Sequence, residues 1–112
     1  MKELTLIEQY ILLSINQLEK NAYLVTIREH IKEITGKDMA IATVYVPLER
    51  LSRLGYLSTR VVKPAPRVGG RAIKYYSLTR AGIRALDEMR RIQERFWIGY
   101  AKTAGSDRGQ NG

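Results

Sequence analysis

The residues with the clearest chemical potential in this 112-residue chain lie in one short, basic, glycine-containing segment. Two adjacent glycines, Gly69 and Gly70, stand between Arg67 and Arg71, and Lys74 follows shortly after. Arginine and lysine pair with phosphate, and glycine lets a backbone approach an anion more closely than a residue with a Cβ does. The segment therefore predicts contact with a phosphate backbone, and Arg71 is the strongest single candidate for that contact.

A second group of candidate contact residues lies on one face of a helix predicted from about residue 40 to residue 54. Its buried side is indicated by an apolar stripe at helical spacing, formed by Val44, Leu48, Leu51 and Leu54. Residues on the opposite side of the same helix are then predicted to face a ligand. These residues are Ala42, Thr43, Tyr45, Val46 and Arg50.

The charge balance indicates what that ligand is. The chain carries 19 Lys and Arg against 11 Asp and Glu, a formal net charge of +8 and a pI near 10.0. A domain this basic usually binds a polyanion, most often nucleic acid, and an anionic membrane surface is the alternative. The membrane alternative is disfavoured because the basic residues do not share one amphipathic helix with an apolar opposite face. No spanning segment or signal segment is expected.

Pro47 lies inside the predicted contact helix. A proline in a helix interior removes one backbone hydrogen bond, whereas within the first turn its cost is small. We therefore expect regular helix to begin late, near Thr43, or to bend at Pro47. Three residues keep two interpretations each. Tyr45 contacts DNA or lies at the rim of the core, and Arg50 and Arg53 pair with phosphate or belong to a solvated helix face.

Catalytic chemistry is disfavoured by the composition. The chain has no cysteine, which excludes disulfides, thiolate metal sites and cysteine nucleophiles. Its single histidine, His30, has no second histidine or carboxylate cluster beside it in the sequence. Phosphate-binding loops, nucleophile elbows and paired carboxylates in a defined frame are also missing from the sequence. We therefore expect no enzyme, no catalytic residue, no metal and no cofactor.

The order of predicted elements indicates a fold. Two helices precede the contact helix; the first begins at a capping box of Thr5 and Glu8, and the second ends at Gly36. Segments 56–63 and 72–78 alternate with period two and predict an antiparallel hairpin, and Thr79 caps a last helix. The chain is thus predicted to be mainly α with a small β-hairpin, a winged helix-turn-helix with an added C-terminal dimerisation helix. Its DNA-binding domain would span residues 1–78.

The last helix is predicted over residues 79–102, and its apolar surface exceeds what one small domain can cover. Exposed patches of large apolar side chains are rare in soluble monomers, so a homodimer is expected. The predicted dimer interface consists of Ile83, Leu86, Met89, Ile92, Phe96 and Trp97. Residues 103–112 are rich in glycine and polar side chains and predict a disordered tail.

Several motifs together resemble the PadR transcriptional regulators. They are Leu-Thr-Leu-Ile-Glu-Gln-Tyr-Ile-Leu-Leu at residues 4–13, Asn-Ala-Tyr at 21–23, Ala-Thr-Val-Tyr at 42–45, Gly-Gly-Arg at 69–71, Lys-Tyr-Tyr at 74–76 and Ala-Gly at 81–82. The chain departs from the family pattern at Leu24, where glycine is usual, and at Pro47, one place later than the proline of many members. Both departures concern the positions of the second and third helices.

The resemblance implies a cytoplasmic transcriptional regulator, usually a repressor, that binds a palindromic operator as a dimer through its C-terminal helix. Some small PadR-like regulators bind flat aromatic molecules between their dimer helices by stacking them on tryptophan. Trp97 therefore marks an effector pocket for a small aromatic ligand by resemblance, while a plain dimer contact is the simpler role for it. A winged helix that binds another protein and never contacts DNA is the alternative function.

Overall fold

The computed structural model describes residues 3–65 and 69–111, the last of these, 106–111, by their backbone alone. The elements follow the predicted order. They are α1 (Leu6–Leu18), a 3-10 turn (Glu19–Asn21), α2 (Leu24–Thr35), α3 (Ile41–Arg53), β1 (Leu57–Val62), β2 (Ile73–Leu78) and α4 (Arg80–Asn111). The fold is mainly helical with one antiparallel hairpin, as the sequence predicted. Within the described residues, no helix is both long and apolar enough to span a membrane.

Helix α1 begins at the predicted capping box. The backbone N–H of Glu8 donates to Thr5 Oγ1 at 3.2 Å, and the backbone N–H of Thr5 donates to Glu8 Oε1 at 2.8 Å. This reciprocal pair satisfies two amide groups that the first helical turn leaves without a partner. The helix then buries Ile11, Leu12 and Ile15 at the centre of the core. Because α1 is surrounded by the other elements, it positions both α3 and α4.

The core is completed by α2 and α3. Ile27 and Ile31 of α2 are buried against the first helix, and Gly36 ends α2 with a left-handed φ of 76°, as predicted. Val44, Leu48 and Leu51 of α3 are fully buried. The three helices thus share one apolar centre.

Helix α3 differs from the prediction in two places. It begins at Ile41, so the predicted late start near Thr43 is wrong, and it continues through Pro47 to Arg53. The alternative, a bend at Pro47, stays a prediction. The loss of one backbone hydrogen bond at Pro47 is outweighed by the buried stripe on either side of it. Leu54 was predicted to extend that stripe, but its side chain is 49% exposed. The reason is that the helix ends at Arg53 and Gly55 takes a φ of 82°, so the chain has already turned away.

The hairpin has the predicted strands within one residue at each end. Strands β1 and β2 pair antiparallel, with Leu57 opposite Leu78 and Val62 opposite Ile73. The sheet is attached to the helical core by the segment before α2, where the Tyr76 N–H donates to the Ala22 carbonyl at 2.8 Å and Tyr23 forms a bridge with Tyr75. The base of the hairpin is therefore held firmly on the core.

Helix α4 starts at the predicted N-cap. The Gly82 N–H donates to Thr79 Oγ1 at 3.1 Å, and that hydroxyl in turn donates to the Gly55 carbonyl at 2.6 Å. Gly82 lies so close to the Tyr56 carbonyl that a Cβ at this position would overlap it. The cap and the glycine together fix the start of α4 against the turn between α3 and β1.

The last helix is longer than predicted. It continues to Asn111, whereas the sequence predicted an end near residue 102 and a disordered tail beyond it. Residues 98–111 contain no proline, so each residue keeps the backbone N–H that a helix needs, and the glycines of this segment weaken the helix without ending it. At 32 residues, α4 is about 48 Å long at 1.5 Å per residue and extends beyond the core.

Candidate nucleic-acid interface

The outer face of α3 carries four of the five residues of this helix that were predicted to contact DNA. Ala42 and Thr43 are exposed, and the Tyr45 and Val46 side chains are 45% and 61% exposed. This face lies opposite the buried stripe of Val44, Leu48 and Leu51, as the helical spacing predicted. Arg53 is also exposed on this face. The helix therefore presents a continuous surface of small, aromatic and basic side chains to solvent.

Arg50 does not belong to that surface. Its guanidinium Nη1 lies 3.1 Å from Glu8 Oε2, and the Glu8 side chain is only 3% exposed. A carboxylate this buried needs a charged partner, because an unpaired charge in the core costs several kcal/mol. The Arg50 side chain is 32% exposed, so its contact with DNA stays a prediction. This side chain turns towards α1 and anchors α3 to the capping box, instead of projecting from the outer face.

Lys74 is also paired within the chain. Its Nζ lies 3.1 Å from Glu49 Oε1 and 3.0 Å from Glu49 Oε2, and the Tyr76 hydroxyl donates to Glu49 Oε2 at 2.8 Å. Burial raises the pKa of Glu49, but the hydrogen bonds from Lys74 and Tyr76 and the charges of Lys74 and Arg53 outweigh it, so this pKa lies below 4.5. Burial and the neighbouring Glu49 raise the pKa of Tyr76 far above its usual range. The carboxylate and the phenol therefore keep their charged and neutral forms near neutral pH.

The tip of the hairpin is exposed and basic. Gly69 and Gly70 take φ values of 73° and 97°, a region in which residues with a Cβ are strained. Arg71 follows them and is exposed, as is Lys63 at the other side of the tip. Arg67, which was also predicted to contact DNA, lies outside the described residues. The described part of the tip is thus exposed and basic, and its contact with phosphate stays a prediction.

The side of the hairpin nearest the 3-10 turn is held by an aromatic and cationic stack. The Arg60 guanidinium lies 4.6 Å from the centroid of the Tyr75 ring, and that ring packs edge-on against Tyr23 with centroids 5.4 Å apart. Arg60 Nη2 also donates to the Lys20 carbonyl at 3.3 Å. These contacts fix strands β1 and β2 relative to the start of α2.

The predicted dimer residues divide into two groups by exposure. Leu86 packs against the core of its own chain and Met89 is half-buried, so these two are largely satisfied without a partner. Ile83 and Ile92 are about half exposed, and Phe96 and Trp97 are 74% and 64% exposed. The Trp97 ring packs edge-on against Tyr100, with centroids 5.3 Å apart. The half of α4 beyond Met89 therefore presents large apolar side chains to solvent.

The sequence did not single out Glu49 and gave Glu8 only a capping role. Both carboxylates hold α3 from its flanks: Glu8 on the side of α1 and Glu49 on the side of β2. The capping box placed Glu8 at the start of α1, but no local pattern links it to a residue more than forty positions later. In the part of the chain that the structure describes, no group of three or more His, Asp or Glu side chains could hold a metal ion.

The arrangement is similar to those of known regulators. A crystal structure of a PadR family transcription regulator from hypervirulent Clostridium difficile R20291 is 21% identical, with a TM-score of 0.70, and the match covers 86% of this chain and 94% of that one. A PadR-like transcription factor from Bacteroides fragilis is 29% identical, with a TM-score of 0.68 and coverage of 88% and 86%. Bordetella bronchiseptica BpsR, whose DNA binding is regulated by 6-hydroxynicotinic acid, is 23% identical, with a TM-score of 0.64 and coverage of 87% and 64%.

Comparison with curated proteins found no match. The sequence model of the transcriptional regulator PadR-like family matches residues 11–88, which include α2, α3, the hairpin and the start of α4. This match spans well over half of the chain, and the structural similarity to PadR family regulators agrees with it. The resemblance noted in the sequence motifs is thereby confirmed, and the chain belongs to the PadR-like family of transcriptional regulators.

Proposed function

We propose that the chain is a sequence-specific DNA-binding regulator that represses transcription by binding a palindromic operator as a homodimer. The observation that carries this proposal is that α3 exposes its outer face and is joined by the Glu49–Lys74 pair to a hairpin whose described tip residues are glycine-containing and basic. In winged helix-turn-helix proteins the corresponding helix enters the major groove. A dimer bound at a promoter would repress by occupying the site that the polymerase needs, in the cytoplasm where the operator is located.

In this proposal, base contact and phosphate contact come from different elements. Ala42, Thr43, Tyr45 and Val46 face the major groove, where small and aromatic side chains can contact base edges and thymine methyl groups. Arg71 contacts phosphate, with the Gly69 and Gly70 backbone approaching the same strand. Arg53, exposed at the end of α3, contacts phosphate in this proposal, and Arg50 is left out because of its pair with Glu8.

The homodimer part of the proposal is supported by the exposed apolar half of α4. Each large side chain that becomes buried stabilises an assembly by roughly 1.5–3 kcal/mol, so the exposed Ile92, Phe96 and Trp97 of two chains can offset the entropy lost on association. Two-fold symmetry would place two α3 helices on DNA half-sites about one helical turn, roughly 34 Å, apart. A palindromic operator is the expected counterpart of that symmetry.

Selection of bound fragments from random DNA is the direct test. A regulator of this kind should enrich a palindrome, and its affinity should fall steeply as the salt concentration rises, because bound phosphates release counterions. Enrichment of no sequence, together with no salt-dependent binding to any duplex, would contradict the proposal. The remaining alternative would then be a winged helix that binds another protein through a mainly apolar, salt-insensitive interface.

A small aromatic effector is a separate part of the proposal. Trp97 exposes most of its ring on α4 and has Tyr100 beside it, an arrangement in which a flat ligand could stack between two dimer helices. Titration of planar aromatic compounds against the fluorescence of Trp97, the only tryptophan in the chain, tests this part. Unchanged fluorescence across a broad panel would leave Trp97 with the role of a dimer contact.

A further inference from the structure

Glu49 holds a position that the DNA-binding function does not by itself explain. It lies on α3, on the flank that faces the hairpin, and is the carboxylate on which Lys74 and Tyr76 of β2 converge. Tyr76 is itself a core residue, only 4% exposed, so its hydroxyl is fixed. Three hydrogen bonds therefore join the middle of the contact helix to the middle of the hairpin.

The charge of Glu49 makes this position costly for binding DNA. A carboxylate on a DNA-facing helix repels phosphate, and Lys74 would otherwise be available to pair with phosphate at the exit of the hairpin. Instead, both oxygens of Glu49 accept from the Lys74 ammonium, which also lies 5.7 Å from the centroid of the Tyr76 ring. The pair reduces the general attraction of the chain for any polyanion. If the arrangement serves DNA binding, another contribution to recognition must compensate for this weaker attraction to phosphate.

We propose that Glu49 is a specificity-determining positioning residue, which fixes the hairpin against the contact helix and holds the Lys74 ammonium away from phosphate. The proposal rests on the proposed function as a DNA-binding regulator. A rigid angle between the two elements lets only a duplex with the matching groove and backbone geometry engage both at once. A detached Lys74, by contrast, would bind phosphate on every sequence alike, because phosphate contacts carry no direct sequence information.

The substitution Glu49→Gln tests the proposal with little change in shape. Glutamine keeps one oxygen for the Tyr76 hydroxyl but removes the charge that holds Lys74. We expect affinity for random DNA to rise about three- to tenfold and the salt slope to steepen by about 0.9, the value for one additional phosphate contact. Affinity for the selected operator should rise less, so the ratio of operator to random affinity should fall.

Three further variants separate positioning from charge and from stability. Tyr76→Phe removes one hydrogen bond and no charge, so it should lower the affinity ratio without changing the salt slope. Lys74→Met added to Glu49→Gln should return the slope to the wild-type value. Glu33→Gln removes the same charge from the exposed face of α2 and should leave both the ratio and the slope unchanged.

Hydrogen exchange of the β2 amides gives a readout that does not depend on DNA. Glu49→Gln should speed exchange in the hairpin while leaving the α1 amides at their wild-type rates. Unchanged hairpin exchange, or an unchanged salt slope in a folded Glu49→Gln protein, would overturn the proposal, as would equal losses on operator and random DNA. Failure of the wild-type protein to bind any duplex would overturn the proposed function, whatever the exchange rates of the variant.

Discussion

Helices α3 and α4 are both amphipathic, but the rest of the chain covers the apolar face of α3 and leaves much of the apolar face of α4 exposed. The apolar stripe of α3 is fully buried, because α1, α2 and β1 surround it. In the stripe of α4, Leu86 packs against the core and Met89 is half-buried, whereas Ile83 and Ile92 are about half exposed and Phe96 and Trp97 are mostly exposed. Similar periodicity in the two helices thus gives a buried apolar face on α3 and a largely exposed one on α4.

Helical spacing therefore identifies the apolar side of a helix but not the molecule that covers it. For α3, the coverage comes from the same chain, and the remaining polar flanks are secured by the Glu8–Arg50 and Glu49–Lys74 pairs. For the second half of α4, no part of the described chain lies near enough to cover the stripe. A second copy of the chain is the partner we propose.

The largest effect is expected when the apolar side chains proposed to contact the second copy of the chain are removed. Truncation after Met89, or the double substitution Phe96→Ala and Trp97→Ala, deletes large side chains worth roughly 1.5–3 kcal/mol each from both halves of the interface. The dissociation constant of the dimer should therefore rise by at least about 1,000-fold. Light scattering at micromolar concentration should report a dimer for the full chain and a monomer for both variants.

Lys102→Ala supplies the control for this experiment. It shortens an exposed side chain of the same helix without removing an apolar contact, so the dimer should persist. A full-length chain that is monomeric at micromolar concentration would contradict the homodimer and remove the reason to expect a palindromic operator.

The next largest effect is expected at the pair that anchors α3. Arg50→Met leaves the buried Glu8 carboxylate without its partner, which should lower the free energy of unfolding by about 3 kcal/mol. Adding Glu8→Gln should recover part of that loss, because the unpaired charge is then gone. Chemical denaturation of the wild type, both single variants and the double variant gives the coupling energy. If Arg50→Met instead leaves stability unchanged and flattens the salt slope for DNA, Arg50 contacts phosphate and the original prediction was right.

A smaller loss is expected where α4 leaves the α3–β1 turn. Gly82→Ala forces a Cβ into the Tyr56 carbonyl and should destabilise the fold by about 1–3 kcal/mol, the usual cost of overpacking. Gly99→Ala is the matched control, since a Cβ there meets no neighbouring atom, and it should stabilise the helix by about 0.5–1 kcal/mol. Thermal unfolding of both proteins should shift in opposite directions. Equal shifts would mean that the close approach at Gly82 has no energetic consequence.

The sequence predicted the helices and strands better than it predicted which charged side chains form ion pairs. The patterns it predicted well are local, since each lies within a short stretch of sequence: the caps at Thr5 and Thr79, the helix-ending Gly36 and the buried stripe of α3. The pairs of Arg50 with Glu8 and of Lys74 with Glu49 join residues that lie 42 and 25 positions apart. Such contacts depend on how the elements pack. For this reason the sequence predicted that Arg50 and Lys74 contact DNA, although each forms an ion pair within the chain.

The exposed face of α3 should carry discrimination between sequences. Tyr45→Ala removes an aromatic side chain from the proposed major-groove surface and should cost about 1–3 kcal/mol on the operator, with little change on random DNA. Tyr45→Phe keeps the ring and isolates the contribution of the hydroxyl. Fluorescence anisotropy on both DNA types measures the difference. Losses of equal size on operator and random DNA would place Tyr45 away from the bases, at the rim of the core.

The smallest effect on binding is expected at the hairpin tip. Arg71 is exposed next to two glycines in left-handed conformations, so its proposed role is phosphate contact independent of sequence. Arg71→Ala should weaken operator and random DNA by the same factor and flatten the salt slope by about 0.9, because one fewer counterion is released. Arg84→Ala is the control, because it removes an equal charge from the exposed surface of α4 and should leave the slope unchanged. Titrations at several salt concentrations give both quantities. An Arg71→Ala protein with wild-type affinity for both DNA types would show that the tip does not contact DNA, and recognition would then depend on α3 alone.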